Sequence, residues 1–192
     1  MKIFNNLNIP KKYKKSALAI GNFDGVHLGH QKVFKKTKNI AKDKKIKFGV
    51  MTFTPLPTMF FNKKVKNHRL ANENQKLQLL KKNNVDFVIN ISFNKNFSKI
   101  SAENFIKRII YKKLQVQFLA VSNNFKFGRN RKGDINLLKN FSKSCGYNLL
   151  NVEQFNYSNK AVSSTKIRNY LKKGNVNLAN KLLSRTWSIE GI

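Results

Sequence analysis

Residues 16–32, "SALAIGNFDGVHLGHQK", decide the fold that this sequence predicts. The first part, "SALAIGNF" over 16–23, is a short apolar run that reaches a glycine, which is typical of a buried strand. From Leu28 to Lys45 the apolar residues recur at helical spacing among lysines, so a helix should follow directly. The junction holds three glycines at four-residue spacing and three polar side chains: Gly21, Gly25, Gly29, Asp24, His27 and His30.

The same alternation of strands and helices continues through the chain. Further strands are predicted over 45–53, 86–92, 116–122 and 148–155, and helices over 72–84, 101–113, 134–145, 163–172 and 175–183. Residues 54–64 are interpreted as a loop because prolines punctuate them. The alternation predicts an α/β fold, a Rossmann-like doubly wound parallel sheet of about five strands with helices on both faces.

The predicted topology also predicts where a ligand binds. In a doubly wound sheet, ligands lie beyond the carboxyl ends of the strands, where the strand order reverses. The first predicted strand ends at "GNFDG", the fourth ends at "SNNFKFG", and the last pair of helices begins at "SST". We therefore expect these three segments to converge on one site.

The composition fits one domain in a reducing compartment. With 192 residues, 41% of them hydrophobic, the chain is long enough for one well-packed core. A single cysteine, Cys145, excludes an internal disulfide and a multi-cysteine zinc site. No apolar run is long enough to cross a bilayer and the first residues carry no secretory pattern, so a cytoplasmic location without a membrane partner is expected.

The net charge of +31 has two interpretations. A nucleic-acid partner would explain a basic protein, but its binding face should be patchy and rich in arginine. Here lysines are spread from Lys2 to Lys181 and arginine is rare, which favours a bias of composition, so a nucleic-acid partner is not expected. In either case a positive field favours the approach of anionic substrates such as nucleotides.

The two histidines of the opening segment point to phosphate chemistry. Glycines at a strand–helix junction let the backbone approach a ligand, and the free N–H groups of a helix start bind anions. His27 and His30, three residues apart, lie on one face of a helical turn. A structural metal pair lacks a third ligand nearby and no metal site is predicted, while ordinary structural histidines remain the other alternative. Neither the dinucleotide fingerprint nor the P-loop pattern is present.

Three other segments offer groups suited to a nucleotide, each with a simpler alternative. "VSSTKIRNYLKKG" (162–174) opens a helix with three hydroxyls followed by cations, which suits a polyphosphate but is also an ordinary helix cap. "SNNFKFGRNRKGD" (122–134) could form an aromatic and polar pocket floor, or a core phenylalanine pair with a basic loop. "TFTPLPTMFF" (52–61) could wall a flat aromatic ligand, or only pack a loop.

Together these four segments, in this order, resemble one family closely. It is the adenylyltransferase module of prokaryotic FAD synthetases, usually the N-terminal half of a bifunctional riboflavin kinase/FMN adenylyltransferase. "GNFDGVHLGHQ" is similar to the family's leading motif and contains the H-x-G-H of the wider nucleotidylyltransferase superfamily. "TFTPLP", "NNFKFGRNRKGD" and "VSSTKIRNYLKKGNVNLANKLLSR" are similar to its T-F-x-P-H-P, [DN]-F-x-F-G…R-x-G and S-S-T-x-I-R segments.

The resemblance implies direct transfer of AMP from Mg-ATP to the phosphate of FMN, giving FAD and pyrophosphate, on a nucleotidylyltransferase type of fold. The substrates would be small-molecule nucleotides, with Mg²⁺ accompanying ATP. The catalytic residues that it implies are His27, His30, Asn124 and Arg168. It implies an ATP site of Gly21, Asn22, Phe23, Asp24, Gly25, Gly29, Ser163, Ser164, Thr165 and Lys166. It implies an FMN site of Pro55, Pro57, Phe60, Asn124, Phe125 and Arg131.

The sequence departs from the family pattern at particular positions. Leu56 stands where the family has a loop histidine, and "LLSRTW" replaces L-L-G-R-P-[YF]. The adenylyltransferase domain is predicted over 1–186, with 187–192 as the start or remnant of the riboflavin kinase module. Two alternatives stay open: a nucleotidylyltransferase with a phosphopantetheine, nicotinate mononucleotide or phosphoalcohol acceptor, and a basic nucleic-acid-binding protein on the same fold.

Overall fold

The structure is a computed structural model that describes residues 1–65 and 68–190. Its strands alternate with helices from the second strand onward, as the sequence predicts. The strands are β1 (Lys2–Phe4), β2 (Ala17–Ile20), β3 (Phe48–Thr54), β4 (Phe87–Ser92), β5 (Phe118–Ser122), β6 (Asn148–Val152), β7 (Asn156–Tyr157) and β8 (Lys160–Ala161). The helices are α1 (Leu28–Asp43), α2 (Pro57–Phe61), α3 (Glu73–Lys82), α4 (Lys95–Ser98), α5 (Ala102–Asn104), α6 (Ile135–Ser142), α7 (Ser164–Lys172) and α8 (Val176–Leu183).

Six of these strands form one parallel sheet in the order β1-β4-β3-β2-β5-β6, and β7 and β8 form a separate antiparallel hairpin. From β2 the chain moves outward to β3 and β4, then returns to the other side of β2 for β5 and β6. The strand order therefore reverses between β2 and β5, and the crevice beyond their carboxyl ends is the expected ligand site. This confirms the predicted α/β doubly wound fold.

The sheet has six strands, one more than the number of about five that the sequence predicts. β1 is only three residues long, Lys2–Phe4, and its pattern of a lysine followed by one exposed and one half-exposed apolar residue gives no core-strand signature. It joins the sheet because its backbone pairs in parallel with β4, with Lys2 opposite Phe87. Its Phe4 ring also packs against Tyr13 and Phe87. An edge strand with one such packed side chain leaves little trace in hydrophobic periodicity.

Two other segments differ from the predicted elements. Residues 57–61, interpreted as loop, form the short helix α2 with Pro57 in its first turn, where a proline needs no N–H donor. The helix predicted over 101–113 begins as α5, capped by the Ser101 hydroxyl, and continues as a π-helical segment over Phe105–Lys113. The predicted caps Asp134 and Ser163 are confirmed, since their side chains accept hydrogen bonds from the backbone at the starts of α6 and α7.

Apolar layers cover both faces of the sheet. On one face, α1 and α3 pack through Phe34 and Leu80 against Val50 and other strand residues. On the other, the π-helical segment and α6 pack through Ile106 and Leu138. A third cluster joins α7 and α8 to Leu70 and lies at the carboxyl edge of the sheet. Within residues 1–65 and 68–190, no helix has the length and apolar character needed to cross a membrane.

The opposite, amino edge of the sheet carries exposed lysines. Because each helix runs antiparallel to the strands, the turns that lead into β2 to β6 all lie at this edge. The lysines in and beside these turns are exposed, except for the half-buried Lys14. These amino-edge lysines are Lys11, Lys12, Lys14, Lys15, Lys42, Lys44, Lys45, Lys47, Lys81, Lys82, Lys112, Lys113 and Lys143.

Candidate active site

The segment between β2 and α1 folds as a tight loop at the point where the strand order reverses. Phe23, Gly25 and Val26 all have left-handed φ values, of 47°, 76° and 43°. A Cβ at Gly25 would lie 2.8 Å from Leu70 Cβ, so only glycine fits both the conformation and the space. The loop therefore lies directly against residues 68–71, and it delivers His27 to the start of α1.

The two histidines form a stacked pair at the start of α1. The ring centroids of His27 and His30 are 3.6 Å apart with the planes 20° from parallel, and Phe23 meets His30 edge-on. Within the part of the chain that the structure describes, the buried Nδ1 atoms of both rings have no hydrogen-bond partner. Burial, with the charges of Arg168 and Arg185, lowers the pKa of His27 to about 4. Burial and the neighbouring His27 also lower the pKa of His30, so both rings are neutral near pH 7.

Asp24 ties α7 to this loop. Its carboxylate accepts hydrogen bonds from Arg168 Nη1 at 2.7 Å and from the Leu70 N–H at 2.9 Å. The Ser164 hydroxyl donates to the Asp24 carbonyl at 2.9 Å. Burial raises the pKa of the Asp24 carboxyl, while the Leu70 N–H and the Arg168 charge oppose that rise. The structure thus brings together "GNFDG" and "SST", two of the three segments expected to converge.

The other predicted residues of these two segments lie around the same contacts. A Cβ on Gly29 would lie 3.2 Å from His27 Nδ1 and 3.7 Å from the Val162 carbonyl, so the start of α1 faces the residue before Ser163. Ser163 accepts the N–H of Lys166, Thr165 is exposed, and Lys166 is half-buried. A Cβ on Gly21 would lie 3.0 Å from Cζ of the Phe23 ring, so this ring packs directly against the glycine.

A buried lysine is connected to the loop between β2 and α1 through a chain of two hydrogen bonds. Lys76 on α3 is only 6% exposed, and its Nζ donates to Thr52 Oγ1 at 3.3 Å. That hydroxyl donates in turn to the Asn22 carbonyl at 3.1 Å. Burial lowers the pKa of Lys76 to about 8. Sequence reasoning missed Lys76 and Leu70, because one lysine among many and one leucine before a helix carry no distinguishing pattern.

The third segment, 122–134, connects to the 52–61 segment through a row of phenylalanine rings. Successive ring centroids lie 5.4–6.3 Å apart from α2 to the loop after β5. Phe60 and Phe125, both predicted for the FMN site, are the two ends of this row. The phenylalanine row consists of Phe60, Phe93, Phe97, Phe105, Phe127 and Phe125.

Two predicted residues of that segment lie apart from the histidines. Asn124 is exposed and its side-chain oxygen accepts from Ser122 Oγ at 2.8 Å. Arg131 is exposed in a short turn with a left-handed φ of 56°. Within residues 1–65 and 68–190, neither side chain hydrogen-bonds to the 21–32 segment. The structure places this third segment at the same sheet edge, and no described hydrogen bond joins these two side chains to the histidine pair.

The replacement of the expected loop histidine has a clear structural setting. Leu56 is buried, 5% exposed, and precedes Pro57 at the start of α2. It lines a small cavity with Asp24, Thr54, Glu73 and Lys76. Pro55 and Pro57 on either side of it are half-buried. An apolar side chain here contributes packing to the cavity wall in place of a polar group.

Comparison with solved structures shows the same architecture. A protein from Streptococcus pneumoniae described as a macrolide-efflux protein superposes with a TM-score of 0.82 at 24% identity, over 95% of this chain and 59% of that one. A pantoate-beta-alanine ligase from Francisella tularensis superposes with a TM-score of 0.52 at 16% identity, over 96% of this chain and 78% of that one. At such identities the likeness concerns the fold alone, and it agrees with the α/β architecture described above.

Sequence comparison is more specific. The bifunctional riboflavin kinase/FMN adenylyltransferase of Buchnera aphidicola subsp. Schizaphis graminum is 38% identical, over 100% of this chain and 62% of the relative. The protein of the same name from Escherichia coli K12 is 34% identical, over 91% of this chain and 56% of the relative. The chain thus spans less than two thirds of the length of these relatives. The family model described as FAD synthetase matches residues 9–166, and the chain belongs to the FAD synthetase family.

Proposed function

We propose that this chain transfers AMP from ATP to the phosphate of FMN, which gives FAD and pyrophosphate. Membership of the family and the FMN adenylyltransferase named in the relatives support this class of reaction. The structural observation that carries the proposal is the stacked His27–His30 pair at the switch point of the sheet. Its unpartnered Nδ1 atoms and the N-terminus of α1 offer hydrogen bonds where phosphate charge would increase.

The proposed step is a direct displacement at the α-phosphorus of ATP. An oxygen of the FMN phosphate forms the new P–O bond, and the bond from the α-phosphorus to the bridging oxygen breaks. Pyrophosphate leaves with that oxygen and its electron pair. Because no covalent enzyme intermediate is proposed, the side chains bind, orient and stabilise charge.

The neutral state of the two imidazoles suits this role. A neutral imidazole donates one hydrogen bond without an electrostatic cost in a buried site. The negative charge of a bound polyphosphate would raise the depressed pKa values of His27 and His30. The pair could therefore hold more positive charge as the pyrophosphate leaves than it holds in the free protein.

Helix α7 is proposed to hold the outer phosphates. Its first turn offers hydroxyls and N–H groups, and Arg168 adds a charge that its ion pair with Asp24 already orients. The backbone of the 21–29 loop is proposed to line the rest of the nucleotide. The ATP-site residues of this proposal are Gly21, Asn22, Phe23, Asp24, Gly25, Gly29, Ser163, Ser164, Thr165 and Lys166.

The flavin is proposed to lie along the ends of the phenylalanine row. Aromatic rings at both ends, on α2 and on the loop after β5, suit a flat aromatic ligand. Asn124 is proposed to contact the reacting phosphates after the loop closes towards the histidines. The FMN-site residues of this proposal are Pro55, Pro57, Phe60, Asn124, Phe125 and Arg131.

Mg²⁺ is proposed to arrive as part of the substrate Mg-ATP, in which phosphate oxygens supply the ligands that it prefers. Across residues 1–65 and 68–190, no three His, Cys, Asp or Glu side chains are grouped to hold a metal ion. The Asp24 carboxylate in the loop is already bonded to Arg168 and Leu70. The chain's own contribution is thus to orient the phosphates that carry the ion.

Product formation tests the proposal. The purified chain is incubated with FMN and Mg-ATP, and FAD is followed by chromatography beside the His27→Ala/His30→Ala variant. We expect FAD from the parent and a rate lower by about 10²–10⁴-fold in the variant. Urea unfolding of both proteins shows whether the variant is folded.

A folded, ATP-binding parent that forms no FAD would contradict the proposal for this chain. The same assay with 4′-phosphopantetheine, nicotinate mononucleotide and a phosphoalcohol as acceptors would then identify a different nucleotidyl transfer. Equal FAD formation by parent and variant would remove the histidines from the chemistry.

A further inference from the structure

The side chain of Gln31 joins the end of α8 to the start of α1. Its Nε2 donates to the Val26 carbonyl at 3.0 Å and to Ser184 Oγ at 2.7 Å, with the Leu183 carbonyl at 3.4 Å. Gln31 follows His30 in the first turn of α1. The chain that leaves α8 is therefore fixed beside the histidine pair.

The next residue in that chain is Arg185. Helix α8 ends at Ser184, which has a left-handed φ of 53°, and this turn directs residue 185 back along the helix. The Arg185 N–H bonds to the Asn180 carbonyl, and Nη1 donates to the Leu183 carbonyl at 3.3 Å. The guanidinium thus bonds the same Leu183 carbonyl that Gln31 Nε2 approaches, which places it beside the start of α1.

The Arg185 guanidinium is half-buried and its charge is not matched by a close carboxylate. Among the residues that the structure describes, no carboxylate lies within 4 Å of it, in contrast to Arg168. A guanidinium has five N–H donors, and the described side-chain contact uses one nitrogen. Burying a cation is costly without an anionic partner, so this position suits a ligand with negative charge.

The charge of the same guanidinium also acts on His27 and on Asp24. The Arg185 charge contributes to lowering the pKa of His27, after burial and Arg168. The Asp24 charge acts on Arg185 in the opposite sense and partly offsets the lowering of its pKa by burial. Arg185 therefore shares one electrostatic environment with His27 and Asp24, although the three come from α1, the loop and the end of α8.

We infer that Arg185 binds the phosphates of the nucleotide that leave as pyrophosphate, and that Gln31 is the positioning residue that holds it there. This inference rests on the proposed function, since it names a further phosphate-binding group of the same site. The planar guanidinium fork matches two oxygens of one phosphate, which an ammonium group at this position could not do.

Binding of inorganic pyrophosphate, measured by calorimetry without FMN, tests the inference. The variants are Arg185→Met, Arg185→Lys and, as the matched loss of one positive charge, Arg108→Met on the exposed surface of the π-helical segment. We expect binding to weaken about tenfold or more in Arg185→Met, less in Arg185→Lys, and to stay within about twofold in Arg108→Met. Pyrophosphate binding by Arg185→Met equal to that of the parent would overturn the inference.

Gln31→Met tests the positioning role, because it keeps the length of the side chain and removes the amide. We expect weaker pyrophosphate binding in Gln31→Met and little further loss when it is combined with Arg185→Met, because both act on one contact. Fully additive losses in the double variant would show that Gln31 acts elsewhere. Urea unfolding of each variant separates these effects from a loss of folding.

The two proposals fail in different ways. If the parent forms FAD but Arg185→Met retains the KM for ATP and the affinity for pyrophosphate, the function stands and the role of Arg185 is wrong. If the parent forms no FAD but pyrophosphate binding depends on Arg185 as expected, the anion site stands and the acceptor is wrong.

Discussion

The ion pairs at the two edges of the central sheet differ in length and in burial. At the carboxyl edge, Asp24 and Arg168 form a largely buried ion pair at 2.7 Å, with side chains 6% and 17% exposed. At the amino edge, Lys47 and Asp86 approach only to 3.8 Å and are 56% and 41% exposed. The site edge therefore depends on a few desolvated, oriented charges, whereas the amino edge carries many solvated ones.

The exposed lysines of the amino edge have a structural reason. Every helix that precedes a strand ends at the amino edge, where its C-terminal dipole favours lysine. Those lysines remain in solvent and need no partner. The comparison teaches that the two edges differ in how deeply their ion pairs are buried, and not in whether they carry cations.

The largest effect on stability is expected from substitutions that break the ion pair at one edge or the other. Arg168→Met leaves the Asp24 carboxylate buried without its cation, so the free energy of unfolding should fall by about 3–5 kcal/mol. Lys47→Met removes an exposed partner and should cost less than about 1 kcal/mol. Urea unfolding at pH 7 measures both.

The double variant Asp24→Asn/Arg168→Met provides the control. It removes the uncompensated charge, so it should be more stable than Arg168→Met alone. An equal loss in the single and double variants would show that packing of the arginine, rather than the stranded carboxylate, is what stabilises this edge.

The second prediction uses pH. In the unfolded chain His27 titrates near pH 6.5, whereas in the folded protein its pKa is about 4. Between these values the unfolded chain binds a proton that the folded protein does not, so stability falls as the pH drops from about 6.5 to 4. His27 alone should account for about 3 kcal/mol, because each pKa unit corresponds to about 1.4 kcal/mol.

Variants separate this effect from the other groups of the site. The raised pKa of Asp24 acts in the opposite direction, since its folded form binds a proton more readily. His27→Asn keeps Asp24 and should reduce the dependence on pH without abolishing it, because the pKa of His30 is also lowered by burial. Lys45→Gln at the amino edge is the control with an equal number of substitutions. A parent whose unfolding free energy is the same at pH 6.5 and 4.5 would contradict the depressed pKa.

Two glycine substitutions, one in the site loop and one at the amino edge, are expected to have smaller effects on stability. Gly25 and Gly146 both have left-handed φ values, of 76° and 64°, but only Gly25 would place a Cβ against a neighbour, Leu70 at 2.8 Å. Gly146→Ala should cost about 1 kcal/mol of strain, and Gly25→Ala about 2–3 kcal/mol from strain and overlap together. Thermal unfolding of both variants checks the difference, and equal costs would contradict the close packing of the loop.

The smallest effect concerns two helix ends that lack the usual glycine. Lys45 after α1 and Ser184 after α8 both have a left-handed φ of 53°. Lys45→Gly should stabilise the protein by about 1 kcal/mol. Ser184→Gly should gain less, because the Ser184 hydroxyl accepts the hydrogen bond from Gln31. Unfolding in urea checks both, and an equal gain would argue against the role of Gln31.

Local features of this chain were predictable from its sequence. The helix caps Ser101, Asp134 and Ser163 and the strand–loop–helix unit around His27 follow from short-range patterns. Helix α2 could also have been predicted, because Pro57 lies in its first turn, but the presence of Pro55 beside it favoured a loop. Patterns of this kind depend on neighbours within a few residues.

Long-range contacts of the site were not predictable. Asp24 and Arg168 are separated by most of the chain, and no alternation of residue types records that one would bind the other. The same holds for the approach of Leu70 to Asp24 and of Gln31 to Ser184. The identity of the site residues came from motifs, whereas their mutual geometry required the fold.

The pairing of β1 with β4 has a consequence for how this chain acquires its structure. Lys2–Phe4 is synthesised well before its backbone partner, Phe87–Ile89, which is made only after β2, β3 and α3. A parallel pairing between such distant segments closes a long loop and forms slowly. During synthesis on the ribosome, β1 therefore stays unpaired until β4 and the strands beside it have been made.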